Sequence, residues 1–222
     1  MGSQRYGRII VCTPWLTPGS DLAGLLRSTV SSWLKPGDLV TISEKAVVVA
    51  TGRAVPAKEV RAGRLAKFVA AHVRPTGNSR GLSIPEKAEL MIDMVGRWRV
   101  LLAIAAAAVT RPIGLHGAFY PIAGYKARSM DGMRPPYGEV LLPPLTPWAA
   151  RTVAKQLTSA IGHPVAIVDI NDRGGSVRAL PGPMMSTRLL AAVLADNPMG
   201  QRDQSTPIVI VRPAGSADNH LG

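Results

Sequence analysis

The sequence of 222 residues predicts an α+β fold that combines short strands with helices. Two kinds of pattern predict it: short β-rich apolar runs, and longer segments whose apolar residues recur at helical spacing. The composition agrees, because 46% of the residues are hydrophobic and can form a full core. With 22 Gly and 19 Pro, turns between short elements should be frequent. We expect a single domain over residues 1–215 and a flexible C-terminal tail over 216–222.

Each element follows from a local pattern. Apolar residues at helical spacing, often after a capping side chain or a proline, mark the helices, and apolar β-rich runs between turn residues mark the strands. The run 39–50 is interpreted as two short strands broken by polar Ser43-Glu44-Lys45, and residues 111–146, rich in Gly, Pro and Tyr, as long functional loops. In chain order the other predictions are a strand at 8–12, a helix capped by Ser20 or Asp21, helices at 57–73, after Ser83 and at 99–109, a helix capped by Thr146, a strand at 165–168, a helix at 184–194 and a strand at 208–211.

The charge and the single cysteine limit the class of protein. A formal net charge of +12 favours anionic partners such as nucleotides, phosphorylated metabolites or nucleic acid. The arginines are scattered, which argues against a basic tail for polyanions. Cys12 excludes an internal disulfide and lies in an apolar run, so we expect a reducing cytoplasm and a buried, inert thiol. The N-terminus has no apolar signal core, and the longest apolar stretch, 100–109, is too short to span a bilayer, so no membrane association is expected.

The first candidate site combines the triplet Ser43-Glu44-Lys45 with Gly52-Arg53. An acid, an ammonium and a guanidinium thereby lie at the two ends of one short apolar segment. Lysine offers a point charge and arginine a planar fork to phosphate oxygens, so these residues are candidates for a site that binds phosphate. The alternative is a surface ion pair at a strand end.

The second candidate site is the polar segment that follows the predicted strand 165–168. Asp169, Asn171 and Asp172 supply hard oxygen ligands just past a buried strand, which is a usual place for a Mg²⁺ or Mn²⁺ site. Gly174, next to them, permits close approach of a backbone to a phosphate. The alternative is an Asx-rich turn that caps the next segment.

The third candidate is Met130-Asp131-Gly132, in the segment predicted to form long loops. Asp131 could be another metal ligand. Asp-Gly is also an ordinary turn dipeptide, and that interpretation stays open.

Several segments occur in a characteristic order along the chain: Gly37-Asp38-Leu39-Val40, Ser43-Glu44-Lys45, Gly52-Arg53, residues 117–124, Met130-Asp131-Gly132, Leu142-Pro143-Pro144, residues 169–172, and 197–201 through Thr206-Pro207. Their order, from about Ile9 to Arg212, resembles the gamma-glutamyl ligase superfamily that elongates coenzyme F-420, in particular its bacterial branch.

This resemblance implies a mixed α+β fold, with mixed sheets and flanking helices. It also implies an intertwined homodimer that binds ATP or GTP with Mg²⁺ or Mn²⁺. The γ-phosphate would activate a small-molecule carboxylate as an acyl phosphate, which the amine of a glutamate-like amino acid would then attack. By analogy, Lys45 and Arg53 would be the catalytic residues. The residues implied at the metals are Asp131, Asp169, Asn171 and Asp172.

The segment after Lys45 departs from the family pattern. Val48-Val49-Ala50-Thr51 stands where the characterised enzymes carry Ser-Lys-Ala-Glu, so a second lysine and an acid are missing. Two other functions therefore stay open. One is a non-catalytic nucleotide- and metal-binding module of the same fold, and the other, less favoured, is a basic nucleic-acid-binding protein, whose affinity would fall steeply with salt.

Overall fold

The computed structural model of the protein describes residues 5–73, 81–114, 118–134, 137–171, 174–200 and 204–214. The predicted metal ligand Asp172 and the predicted tail 216–222 lie outside these ranges. The chain divides into two compact units, one formed by residues 1–52 and 145–222 and the other by residues 53–144. Two compact units can belong to one domain, so the single-domain prediction stays a prediction.

The first unit is built on a sheet of five strands. Its elements are β1 (Tyr6–Val11), α1 (Leu22–Val30), β2 (Leu39–Ser43), α2 (Glu44–Ala50), α8 (Pro147–Ile161), β6 (Val165–Asn171), β7 (Gly174–Ala179), α9 (Thr187–Val193) and β8 (Ile208–Pro213). The strand order is β1-β8-β2-β6-β7. β2 and β6 are parallel, and the other neighbouring pairs are antiparallel, so the sheet is mixed.

Both faces of this sheet are covered, because alternate residues of β6 are buried on opposite sides. Val168 packs with Leu190 and Leu194 in the cluster around α9. Ile167, which points to the other face, is also fully buried, and α8 packs against β6 and β7. Two predicted caps start the helices of this unit: the side chain of Asp21 accepts a hydrogen bond from the backbone N–H of Gly24, and Thr146 accepts one from Ala149.

The second unit has a small antiparallel sheet and a helical core. Its elements are β3 (Val55–Pro56), α3 (Arg64–His72), α4 (Pro85–Val95), α5 (Arg97–Thr110), α6 (Phe119–Ala123), α7 (Tyr125–Arg128), β4 (Asp131–Arg134) and β5 (Tyr137–Leu142). The strand order is β3-β5-β4. Met91 and Ile92 of α4 and Val100 of α5 are buried at the centre of the core. Glu89 of α4 accepts a hydrogen bond from the backbone N–H of Gly63, at the start of α3.

α5 leaves one apolar face in water. Trp98, Leu102 and Val109 are 81%, 65% and 72% exposed, and Leu101 is also exposed. At 100° per residue these side chains fall within an arc of about 100°, opposite the buried Val100 and Ala103. We call these four residues the α5 stripe. Within the described residues, no helix is both long and apolar enough to cross a membrane.

The α+β class is confirmed, and three local predictions are wrong. Residues 44–50 form the helix α2 and not a second strand. The thiol of Cys12 is exposed, because the chain leaves the edge strand β1 just before it. Asp131 and Gly132 lie on β4, so they form neither a loop nor an isolated turn.

Candidate functional site

Two acidic side chains meet at one edge of the first unit's sheet. Because β2 and β6 are parallel, their carboxyl ends point the same way, and Ser43 pairs in register with Val168. The next residues, Glu44 and Asp169, therefore lie side by side at this edge, where sites in such sheets are usually formed. Two adjacent carboxylates repel each other unless a cation lies between them.

Arg178 of β7 is that cation, and a β-bulge places it there. Ile167 pairs with Ala179 and Val168 pairs with Val177, which leaves Arg178 as the extra residue of β7. A bulge changes the direction of a side chain relative to a regular strand. Here it directs the guanidinium of Arg178 to the two carboxylates. No motif in the sequence marks this arginine.

The three side chains form a continuous ion-pair network. Arg178 Nε donates to Glu44 Oε2 at 3.0 Å, and Arg178 Nη2 donates to Asp169 Oδ2 at 2.8 Å. The side chains of Glu44, Arg178 and Asp169 are only 5%, 12% and 17% exposed. This is a part-buried network with one net negative charge when both acids are ionised. The alternative of an ion pair at a strand end is thus correct for Glu44, except that the pair is part-buried and does not lie at the surface.

Glu44 is held through both of its oxygens. Oε1 accepts a hydrogen bond of 2.8 Å from the backbone N–H of Leu145, the residue at which the chain re-enters the first unit. Burial raises the pKa of the Glu44 carboxyl and the charge of Arg178 opposes that rise, but the net pKa stays above its ordinary value. Arg178 thus compensates the burial of Glu44 only in part.

The other members of the first candidate site lie at the two ends of α2. Lys45 is half-buried in the first turn, directly after Glu44. Gly52 follows the helix with φ +67°, a conformation that favours glycine. Arg53 is exposed and is the first residue of the second unit. The structure thus joins Glu44 to the second candidate site through Arg178, a link that the sequence did not predict.

The second candidate site lies on a β-hairpin. Asn171 is the last residue of β6 and Gly174 the first of β7, and the two pair in register. The alternative of an Asx-rich turn involves Asp172, which lies outside the described residues, so it stays open. A Cβ on Gly175 would lie 2.8 Å from the carbonyl oxygen of Asp169, so this position requires glycine. Among the described residues, which exclude Asp172, no group of three or more His, Cys, Asp or Glu side chains is placed to hold a metal ion.

The third candidate, Asp131, lies in the second unit. Its Oδ1 accepts a hydrogen bond of 2.9 Å from the backbone N–H of Gly132. The carbonyl of Gly132 accepts one of 3.0 Å from Nζ of Lys87, a buried ammonium on α4 that the sequence analysis missed. A lysine between apolar positions of a helix was the signal that could have revealed it, since a buried charge needs a partner.

The family comparison agrees with the order of these segments. The sequence model described as F420-0:Gamma-glutamyl ligase matches residues 10–180, more than three quarters of the chain. The chain belongs to this ligase family. The resemblance predicted from the sequence is thereby confirmed.

The match of the ligase family covers the whole charged network. Glu44, Asp169 and Arg178 of the network lie within the matched residues, as does Asp131 of the second unit, whereas the interior strand β8 follows them. No curated protein matches the chain. Family membership indicates a ligase, and its substrates have to be inferred from the site.

Proposed function

We propose that this chain is a nucleotide- and divalent-metal-dependent ligase that joins a glutamate-like amino acid to a small-molecule carboxylate through an acyl phosphate. ATP or GTP would be the phosphoryl donor. The observation that carries the proposal is the charged network of Glu44, Arg178 and Asp169 beside Lys45, in a chain of the F420-0:Gamma-glutamyl ligase family. A reducing, cytoplasmic setting is part of the same proposal, supported by a sequence with a single cysteine.

The donor atoms at the sheet edge fit Mg²⁺ or Mn²⁺ by chemistry. Asp169 offers a carboxylate and Asn171 an amide oxygen, and both are hard donors of the kind these ions prefer. Asp169 and Asn171 would hold the ion, with Asp172 as a further proposed ligand, and Asp131 remains a proposed ligand in the second unit. When bound, the ion would offset the negative charge that develops on phosphoryl oxygens.

The protein's own residues supply charge and position. We assign the ammonium of Lys45, in the first turn of α2, to the phosphoryl oxygens, where a point charge offsets developing negative charge. Arg53 would bind a phosphate or the substrate carboxylate, and Gly52 and Gly174 would let a phosphate approach the backbone. Glu44 is assigned to the nucleotide site. Its hydrogen bonds to Leu145 and Arg178 fix the start of α2.

We further propose a homodimer, and the α5 stripe supports it. Four large apolar side chains in water on one helix face form a contiguous patch of the kind found at protein interfaces. A second copy offers the same stripe, and two helices with apolar residues at this spacing can pack against each other. The α5 stripe is therefore proposed as a contact between two copies.

The test measures binding before turnover. Mn²⁺ together with ATP or GTP at millimolar concentration should raise the melting temperature of the wild type, and Asp169→Asn should reduce that rise. Asp196→Asn, which removes a carboxylate from an exposed ion pair with Arg8, is the matched control and should behave as the wild type. Release of phosphate that depends on glutamate and a carboxylate substrate would support the ligase. Absence of any nucleotide-dependent shift would contradict it.

The same experiments separate the alternatives. Nucleotide and metal binding without phosphate release, over a broad set of carboxylates and amines, would favour the non-catalytic module. Affinity for nucleic acid that falls steeply with salt concentration, with no nucleotide-dependent shift, would favour the nucleic-acid-binding protein.

A further inference from the structure

The carboxylates at the sheet edge already have a cation of their own. Two different nitrogens of Arg178 donate hydrogen bonds, Nε to Glu44 and Nη2 to Asp169, so one guanidinium pairs with both acids. Its bulge position directs it to this place. A divalent ion that binds Asp169 would thus meet a positive charge bonded to the same carboxylate.

The two ends of this network differ in their freedom to exchange partners. Glu44 is 5% exposed and also bound to the backbone of Leu145, so its end is fixed. Asp169 is 17% exposed and lies on the strand that leads to Asn171. An ion arriving from solvent would therefore replace Arg178 at Asp169 and leave the bond between Arg178 and Glu44 in place.

We propose that Arg178 is an internal counter-cation that a divalent ion must displace from Asp169, so that metal binding at this edge is an exchange. The proposal rests on the metal use stated under the proposed function and deepens it. Arg178 is then a positioning residue that sets the metal affinity. Removing its charge makes the surroundings of Asp169 more negative by one unit, whether Glu44 is ionised or neutral, and strengthens the attraction to a divalent cation.

The experiment titrates Mn²⁺ into the full-length chain and follows the free ion by electron paramagnetic resonance. Arg178→Met should bind Mn²⁺ at least about tenfold more tightly than the wild type. Arg178→Lys, which keeps the charge, should stay within about threefold of the wild type. Arg151→Met, which removes an exposed arginine of α8 in the same unit, is the matched control and should leave the affinity unchanged.

Further variants test whether the gain in Mn²⁺ affinity arises at Asp169, and they cover the case in which Arg178→Met does not fold. Asp169→Asn added to Arg178→Met should abolish the gain, and a gain that persists there would overturn the proposal. If Arg178→Met does not fold, because it leaves Glu44 buried without its cation, Glu44→Gln/Arg178→Met is compared with Glu44→Gln. The double variant should then bind Mn²⁺ more tightly.

The outcomes separate the two claims. Tighter binding by Arg178→Met supports the exchange, including the case in which the wild type shows no measurable binding. Equal or weaker binding overturns the exchange but leaves the proposed metal use standing, provided the wild type binds Mn²⁺. No binding by any variant overturns both.

Discussion

Asp38→Asn tests the ion pair that fixes the start of β2, the strand that ends at the charged network. The Asp38 side chain is fully buried and accepts hydrogen bonds from Arg212 Nε at 2.8 Å, Arg212 Nη2 at 2.7 Å and the backbone N–H of Lys35 at 2.8 Å. Asparagine has one acceptor oxygen in place of two and no charge. The variant therefore leaves the guanidinium without its carboxylate.

The expected loss follows from the burial of the two partners. Breaking a buried ion pair costs roughly 3–5 kcal/mol, and because the Arg212 side chain is 19% exposed and can be partly rehydrated, we expect the lower end. A loss of about 3 kcal/mol lowers the melting temperature of a domain of this size by roughly 6–12 °C. Tryptophan fluorescence is a suitable probe, because Trp15, Trp33 and Trp148 lie in the first unit and only Trp98 lies in the second.

The pH dependence of the stability provides an independent test of the Asp38 ion pair. Burial by itself would raise the pKa of Asp38, but the hydrogen bonds from Arg212 and Lys35 and the charge of Arg212 outweigh it, so the pKa is lowered. The pair therefore stabilises the fold above the unfolded pKa of about 3.9, and that contribution is lost as the pH falls through the lower folded value. The difference in the free energy of unfolding between wild type and Asp38→Asn should therefore become smaller below about pH 4.

An exposed ion pair provides the control for Asp38→Asn. Asp196→Asn removes a carboxylate that is 61% exposed in its pair with Arg8, and it should leave the melting temperature unchanged. The reasoning would be refuted if Asp38→Asn lost less than about 1 kcal/mol of unfolding free energy at neutral pH. It would also be refuted if the difference in unfolding free energy between the variant and the wild type did not change with pH.

Two further predictions concern the second unit. Gly132→Ala should lower the melting temperature measured by calorimetry and reduce the free energy of unfolding by more than about 1 kcal/mol, because Gly132 has φ +106° and a Cβ would lie 2.3 Å from the carbonyl oxygen of Val140. Gly138→Ala is the control, because a Cβ there meets nothing within 4 Å. Equal losses for the two variants would contradict this prediction. Leu102→Glu places a charge in the α5 stripe and should reduce the mass measured by light scattering to that of a monomer. Lys67→Glu, at an exposed position of α3, is the control and should leave the mass unchanged. A Leu102→Glu variant that remained a dimer would exclude the α5 stripe as the contact.

Sequence patterns located most elements but misassigned α2. Val47, Val48 and Val49 are β-branched, which favours a strand, and only three residues separate them from the true strand β2. In the structure residues 46–50 are all buried, so the helix buries nearly its whole surface and shows no alternation of apolar and polar residues. A short apolar run of this kind cannot be assigned by periodicity, and tertiary packing decides it.

The sequence allowed prediction of those site residues that follow a strand, but not of the residue whose position depends on strand register. Glu44 and Asp169 could be selected because each ends a β-rich run, and the parallel pairing of β2 with β6 brings them together. Arg178 could not, since it lies in the interior of a strand and nothing in the sequence marks a bulge. The roles of Lys45, Arg53 and the metal ligands stay predictions.

The bulge in β7 also affects how related sequences should be compared. A relative without the extra residue would need one fewer position between Gly175 and Ala179 to keep the same pairing with β6. An arginine that an alignment matches to Arg178 would then be an ordinary paired residue of the strand, and its side chain would lack the direction that the bulge gives to Arg178. Conservation of this residue has to be judged together with strand length, because the same arginine in a strand without the bulge need not reach the two carboxylates.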